Sequence, residues 1–529
     1  MRKFSILLIL FSLVTHGQTL KNKDHYLSKQ LVNDIKFKEC IIFIKDCLVI
    51  KATPSVVAVL DSDMDINHKG LKPFIWKNPQ EVIDGIDNDQ NGYIDDLNGW
   101  NFIGQKCNGE SLVFTSMEET RILRKYSKNY VDSLFSNNTI PYQYEDVKKS
   151  FESLFNAAKE TVDIYGEQEG NYTLVIDTLK ILMNKEDINR FDLINYKTNN
   201  DTIQNYLNFA KHYYDTGFPY KQFIKELNFN KKVLQFALNL NYDNRDLIGD
   251  QVANINDKTY GSPKFNLITD KISHGTEIAG VIASLLTNGD SSLFLSEKLQ
   301  IMPIIITGNG DPTDKDIALA IRYAVNQGVK VINLSQTKTF SITENFIDNA
   351  LAYAEKKDVL IVKSAGNESI NLDKKIRYPN DIDNNNKELY NNMIVVGSST
   401  KNLDSTLLDS SSNYGKDYVD IFVPTDEVKT FLPNDKLSIE DGGTSYAAPI
   451  IATLALLIRS YYPTLTAPEV KEIIMKSGTP YDINVEITRE DGSKEMVPFS
   501  SLSKSGKIVN AYNAIKMAEK ISKRQLSNN

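Results

Sequence analysis

Cysteine is scarce: Cys40, Cys47 and Cys107 are the only three in 529 residues, so a scaffold built from many disulfides is excluded. Cys40 and Cys47 flank the run IIFIKD, a spacing that admits a hairpin disulfide in an oxidising compartment and leaves one thiol over. None of the three stands beside a histidine or in a glycine-rich segment, which speaks against a cysteine nucleophile. An excess of positive charge is missing too. The net charge is −8, with acids and bases spread along the chain, so neither nucleic acid nor an anionic lipid surface is expected as a partner. Internal repeats and low-complexity tracts are absent. What remains is 41% apolar residues in a chain long enough for two or three domains, and so material for a sizeable buried core.

The chain starts MRKFSILLILFSLVTHGQ: Arg2 and Lys3, an apolar run from Phe4 to Val14, then small and polar residues around Gly17. That order is expected of a secretory signal peptide over residues 1–17, whose apolar run is too short to span a bilayer. No later window looks transmembrane. The expectation is an exported protein (secreted, periplasmic or at the cell surface) without a membrane span once the signal peptide is removed. Residues 18–50 form a short charged extension without strong periodicity.

From residue 56 onward, short Val/Ile-rich runs alternate with amphipathic stretches: VVAVL, then VKVINLS, VLIVKSA and MIVVGSS. In TENFIDNALAYAEKKD the apolar residues Phe346, Ile347, Ala350, Leu351 and Ala354 share one helical face. PTDKDIALAIRYAVNQG offers Thr313 or Asp314 as an N-cap and Gly328 as a stop. Apolar strands without alternation, separated by helices, imply crossover connections. The fold class is therefore α/β, a mostly parallel central sheet with helices on both faces. Ligands of such sheets bind beyond the carboxyl ends of the strands, which directs attention to Asp61, Ser335, Gly366 and Asn367.

Residues 107–260 break this rhythm. Segments such as YEDVKKSFESLFNAAKETVDIY are charged, aromatic-rich and helical in period, with no strands between them, and read as a helical insertion. The α/β domain is then discontinuous, 51–106 and 261–520, with a tail at 521–529.

GGTSYAAPIIATLALLI, residues 442–458, is an apolar helix that opens on two glycines, Thr444 and Ser445. A serine there is open to a substrate backbone and favoured as an alkoxide by the helix N-terminus; taken alone, an N-cap role fits as well. His274, in SHGTEIAGVIASLL, is a second small-residue entry into an apolar helix. A serine, a histidine and a strand-end aspartate in one α/β core fit nucleophilic catalysis.

VLDSDMD, HGTEIAG and GTSYAAP, in the chain order Asp, His, Ser, resemble the three signature blocks of the subtilisin-like serine peptidases. KVINLS, VKSAGNES and SGKIVNAYNAI extend the likeness over residues 52–103 and 243–518. The resemblance implies a serine endopeptidase acting on polypeptide substrates through an acyl-enzyme. Ser445 is then the nucleophile, His274 the general base and acid, and Asp61 the residue that orients the imidazole. Asn367 is the oxyanion donor beside the Ser445 N–H. Ser335, Gln336 and Thr337 face Ser364, Ala365 and Gly366 as walls of the pocket for the side chain before the scissile bond.

Three positions depart from the family pattern. Glu277 stands where the family usually has a histidine, Thr337 replaces a glycine and narrows the expected pocket against aromatic side chains, and Asp63 replaces a glycine in the turn after Asp61. Aspartate tolerates positive φ, and a second carboxylate near His274 would raise the imidazole pKa. Asp65 reads as a turn residue. These departures leave a second reading, a peptidase-like protein that binds peptides without cleaving them.

DGIDNDQNGYIDDLNGW sets Asp87, Asp89 and Asn91 at alternate positions, then Gly92, the Tyr93 carbonyl and Asp95. That is the oxygen spacing of the first part of a calcium loop, with Asn98 where an EF-hand carries its bidentate glutamate. A structural calcium ion is expected there.

Overall fold

The computed structural model describes residues 35–48, 51–129, 131–132, 143–265, 272–287, 298–383 and 387–528; the signal-peptide expectation lies outside them. The described parts of Met1–Glu118 and Asp243–Asn529 form one compact unit, and those of Glu119–Asp132 and Tyr142–Tyr242 a second.

The first unit holds helix α1 (Phe37–Cys47) and strands β1 (Ser55–Asp61), β2 (Trp100–Asn101), β3 (Leu299–Ile305), β4 (Val331–Leu334), β5 (Leu360–Ser364), β6 (Met393–Ser399) and β7 (Ile421–Pro424). Strands β8 (Val428–Leu432) and β9 (Lys436–Glu440) form a separate antiparallel ribbon. Short β10 (Thr479–Pro480) and β13 (Lys507–Ile508) complete a nine-stranded sheet, while β11 (Asn484–Thr488) and β12 (Lys494–Pro498) pair apart from it. The sheet order is β10-β13-β7-β6-β5-β4-β1-β3-β2, parallel except for β10. After β1 the chain lays β2 and β3 on one side and β4 onward on the other, so the order reverses at β1, and a cleft opens at the carboxyl ends beside it.

Alternate residues of β1 point to opposite faces: Val57 and Val59 enter one apolar layer, Ala58 and Leu60 the other. Helices α2 (His274–Leu286), α5 (Thr444–Tyr461), α6 (Ala467–Ser477) and α7 (Ala511–Asn528) cover the first face. Helices α3 (Asp314–Asn326) and α4 (Glu344–Lys356) cover the second. The α/β expectation therefore holds, and so does the cap of α3, where Thr313 Oγ1 accepts from Asp316 N at 3.0 Å.

Other expectations change. Cys40 and Cys47 sit on one continuous helix, not a hairpin; six residues of helix lie between them and set their Cα atoms about 10 Å apart, beyond disulfide reach, and Cys40 is a buried free thiol. The expected tail is the end of α7. Residues 107–118 and 243–260, read as insertion, pack with the sheet unit. Arg245 donates to both oxygens of Asp316 on α3, at 2.6 and 2.9 Å, and Tyr260 donates to the same carboxylate at 2.7 Å, which anchors that return segment. The second unit holds helices Tyr144–Met183, Asp201–Asp215 and Tyr220–Lys232 around an aromatic centre of Tyr172, Phe209, Tyr213 and Phe223.

Candidate active site

Asp61 ends β1 and is fully buried; its Oδ1 accepts from Ser62 N at 2.7 Å and lies 2.6 Å from His274 Nδ1. His274 begins α2, and the approach of α2 to the β1 turn requires glycine at 275. A Cβ there would fall 2.3 Å from the Ser62 carbonyl oxygen. Gly275 N also donates to Ser62 Oγ at 3.0 Å. Burial on its own pushes the imidazole pKa down, but the Asp61 charge and hydrogen bond, joined by the charge of Glu277, outweigh it and hold His274 above its ordinary value. Asp63 keeps a negative φ, and its carboxylate accepts from Met64 N at 3.0 Å. The second acid acting on the imidazole is thus Glu277. Asp65 braces turns, accepting from Asn67 N and Asn434 N at 3.2 and 3.0 Å.

Ser445 is the second residue of α5, reached through Gly442 and Gly443 at φ 80 and 96°. Its Oγ donates to the Ser335 carbonyl at 3.4 Å, while Nε2 of His274 is buried without a hydrogen-bond partner. At a helix start the Ser445 N–H has no intrahelical acceptor. Asn367 Oδ1 accepts from Thr444 N and Thr444 Oγ1 at 2.8 and 2.9 Å, which leaves its amide Nδ2 as the group free to donate.

Ser335, Gln336, Thr337, Ser364, Gly366 and Asn367 line one cleft with His274 and Ser445. Gln336 Nε2 reaches His274 Nδ1 at 3.3 Å and Asp61 Oδ1 at 3.5 Å, so it faces the His–Asp pair as well as the pocket. Ala365 is the exception. It is fully buried in the apolar layer beneath the cleft, because the chain alternates sides as it leaves β5. A Cβ placed on Gly366 would lie 3.3 Å from Thr337 Oγ1 and 2.7 Å from Glu368 Oε2, so the two walls approach closely at this point. Gly308, Asn309, Gly310 and Asp311, beyond the end of β3, complete the cleft and were missed in the sequence. The glycine-rich TGNGDP directly after an apolar run was the available signal.

In the acidic loop the alternating residues do not converge as a ligand set. Asp87 accepts from Asn91 N and Gly92 N, Asn91 Oδ1 from Tyr93 N, and Asp95 from Asp84 N and Gly85 N. Backbone donors reach these oxygens as they also reach Asp89 Oδ1 and Glu81 Oε1, and it is proximity that changes the expected set: among the described residues the carboxylate oxygens that come within 4.8 Å of one another are those of Glu81, Asp89 and Asp96. That spacing suits calcium–oxygen distances of about 2.4 Å. Glu81 Oε2 is buried with no hydrogen-bond partner, so the donor set fits a hard divalent cation.

Comparison with known proteins adds the family. The chain is 34% identical over 231 residues to the cell wall-associated protease of Bacillus subtilis (strain 168), covering 44% of this chain and 23% of that protein. To the major intracellular serine protease of the same organism it is 32% identical over 201 residues, covering 37% and 58%. To thermitase of Thermoactinomyces vulgaris the figures are 30% over 188 residues, 35% and 61%. The chain thus spans between about a quarter and three fifths of the length of these relatives. Among solved structures, one titled for subtilase cytotoxin SubAB assembly matches with TM-score 0.39 and 20% identity, covering 50% of this chain and 81% of the other. No helix among the described residues is long and apolar enough to cross a membrane. The family model described as the subtilase family (peptidase S8) matches residues 53–498, and the chain belongs to that family.

Proposed function

We propose that this chain is a serine endopeptidase that cleaves polypeptides through an acyl-enzyme, with Asp61, His274 and Ser445 as its triad. The observation that carries the reading is the 2.6 Å contact between His274 Nδ1 and a fully buried Asp61, with Nε2 left unpartnered in the cleft that holds Ser445. Held by Asp61 on Nδ1, the imidazole presents a basic Nε2. Ser445 Oγ leaves the Ser335 carbonyl, passes its proton to Nε2 and attacks the substrate carbonyl. The resulting oxyanion is met by the Ser445 N–H and Asn367 Nδ2, the donor that Thr444 leaves free. His274 then protonates the leaving amine, and water repeats the cycle.

The close approach of Thr337 and Gly366, with Glu368 beside them, supports a short pocket that disfavours aromatic side chains before the scissile bond. Glu368 is committed to Arg377 at 3.2 Å and to Asn413, so it supplies no free charge for a basic side chain. The signal-peptide-like start supports export. Incubation of the native chain with casein and a fluorophosphonate probe tests the function: cleavage and one probe per chain on Ser445 are expected, with few cuts after Phe or Tyr. An intact, folded chain that neither labels nor cleaves overturns the enzyme reading.

Glu81, Asp89 and Asp96 would hold calcium, which when bound neutralises crowded acids and stiffens the loop. Asp96 also accepts from Tyr323 on α3 at 2.7 Å, so the site fastens the loop to the sheet unit. Chelation is expected to lower the melting temperature by about 5 °C or more, restored by calcium but not by magnesium at equal concentration. Glu81→Gln removes most of that response, as differential scanning calorimetry with and without chelator will read.

A further inference from the structure

Glu277 stands where the starts of two helices meet. It sits one helical turn after His274 on α2 and is 2% exposed. One oxygen accepts from Ser273 Oγ at 2.5 Å, at the start of its own helix. The other accepts from Tyr446 Oη at 2.7 Å, and Tyr446 directly follows Ser445 on α5. A single side chain therefore joins the first turns of the two helices that carry the base and the nucleophile.

Among the described residues no lysine or arginine lies within 4 Å of the Glu277 carboxylate. The groups that face it are Tyr446 from α5, His274 and Ser273 from its own helix end, Thr430 from β8 on its backbone carbonyl, and Glu440 from β9. Glu440, bonded to Ser438 Oγ, is pushed up to about 7 by burial first, with the Glu277 charge adding to the rise. Tyr446 is driven well above its ordinary value by burial and by Glu277, and stays a neutral donor. Among the described residues, the cation that forms beside Glu277 is the imidazolium of His274, which exists when the base has taken its proton.

We propose that Glu277 is a positioning residue for the reaction: it holds the His274 and Ser445 helix starts in register through Ser273 and Tyr446, and lends a second negative charge to the imidazolium behind Asp61. The inference rests on the serine-peptidase reading, and its test separates the two. Glu277→Gln can keep the bond from Ser273 and replace the one from Tyr446 by a bond of opposite sense, amide N–H to Oη, but loses the charge. Tyr446→Phe keeps the charge but cuts the link between the helices.

In the full chain, Glu277→Gln is expected to move the acid limb of kcat/KM to lower pH, by less than Asp61→Asn does, with the same shift in the His274 imidazole titration followed by NMR. Tyr446→Phe should leave that limb in place and lower kcat about tenfold with KM changed less than twofold. A folded Glu277→Gln chain with an unmoved His274 titration overturns the proposal, as does Tyr446→Phe with native kcat. If Glu277→Gln does not fold, Tyr446→Phe decides alone. Because the NMR titration needs no substrate, a native chain that fails to hydrolyse defeats the peptidase reading while the charge coupling is still judged.

Discussion

Replacing Ser445 with alanine is expected to lower kcat by about 10⁶-fold, the size of loss measured in subtilisin when its nucleophile is removed, with KM little changed. The cleft explains why so much depends on one oxygen. Asp61 lies 2.6 Å from His274 Nδ1, and Nε2 is buried without a hydrogen-bond partner, which is where the proposed mechanism places the proton acceptor. Without the Ser445 hydroxyl, water must enter a site shaped for a helix-borne nucleophile, and it arrives without the orientation that a covalent link supplies. The remaining activity, about 10³-fold over the uncatalysed reaction, belongs to Asn367 and the Ser445 N–H, which the substitution leaves in place. His274→Ala should fall as far, and the double variant no further, since the two act as one unit. Peptide hydrolysis under single-turnover conditions, with intact mass to exclude a contaminating peptidase, checks this. Retention of more than about 1% of native kcat by the alanine variant would place the nucleophile elsewhere.

What the sequence made legible was what lies within a few residues. Asp61 directly follows a non-alternating apolar run, and His274 and Ser445 each open an apolar helix behind small residues; strand ends and helix starts are local events. The parallel sheet was legible for the same reason, since strands buried on both faces carry no period of two. Contacts that depend on distant pairing were not. The Glu277–Tyr446 bond spans 169 residues, and nothing near either position signals the other. The acidic loop showed alternating oxygens, but the carboxylates that close on Asp89 are Glu81, eight residues earlier, and Asp96, neither of which belongs to the alternation. Ala365 was misplaced by one step of alternation after β5, which turns a wall residue into a core residue. The cysteine hairpin failed because the apolar residues of IIFIKD suit a helix docked on α7 as well as a strand, and periodicity does not separate the two over six residues.

Asp61→Asn tests what the buried carboxylate supplies, charge or geometry. The same oxygen, Oδ1, lies at 2.7 Å from Ser62 N and 2.6 Å from His274 Nδ1. An asparagine that keeps its carbonyl oxygen at this point still accepts from both, and turning its amide group there would set N–H against the Ser62 N–H. The imidazole therefore keeps its tautomer and orientation, and the substitution removes mainly negative charge. His274 is held above its ordinary pKa because Asp61 and Glu277 outweigh the downward pull of burial. Activity needs the neutral ring, so the acid limb rises through that elevated value; without the Asp61 charge the limb moves down, and the base that remains is weaker. We expect kcat to fall by about 10³- to 10⁴-fold, with kcat/KM reaching its plateau at lower pH than in the native chain. Asp61→Ala, which also releases the ring, should lose more and show no defined limb. The pH profiles of the two variants separate the cases: an asparagine variant as slow as the alanine one, with no downward shift, would mean that the tautomer is lost after all and that Ser62 does not fix the amide.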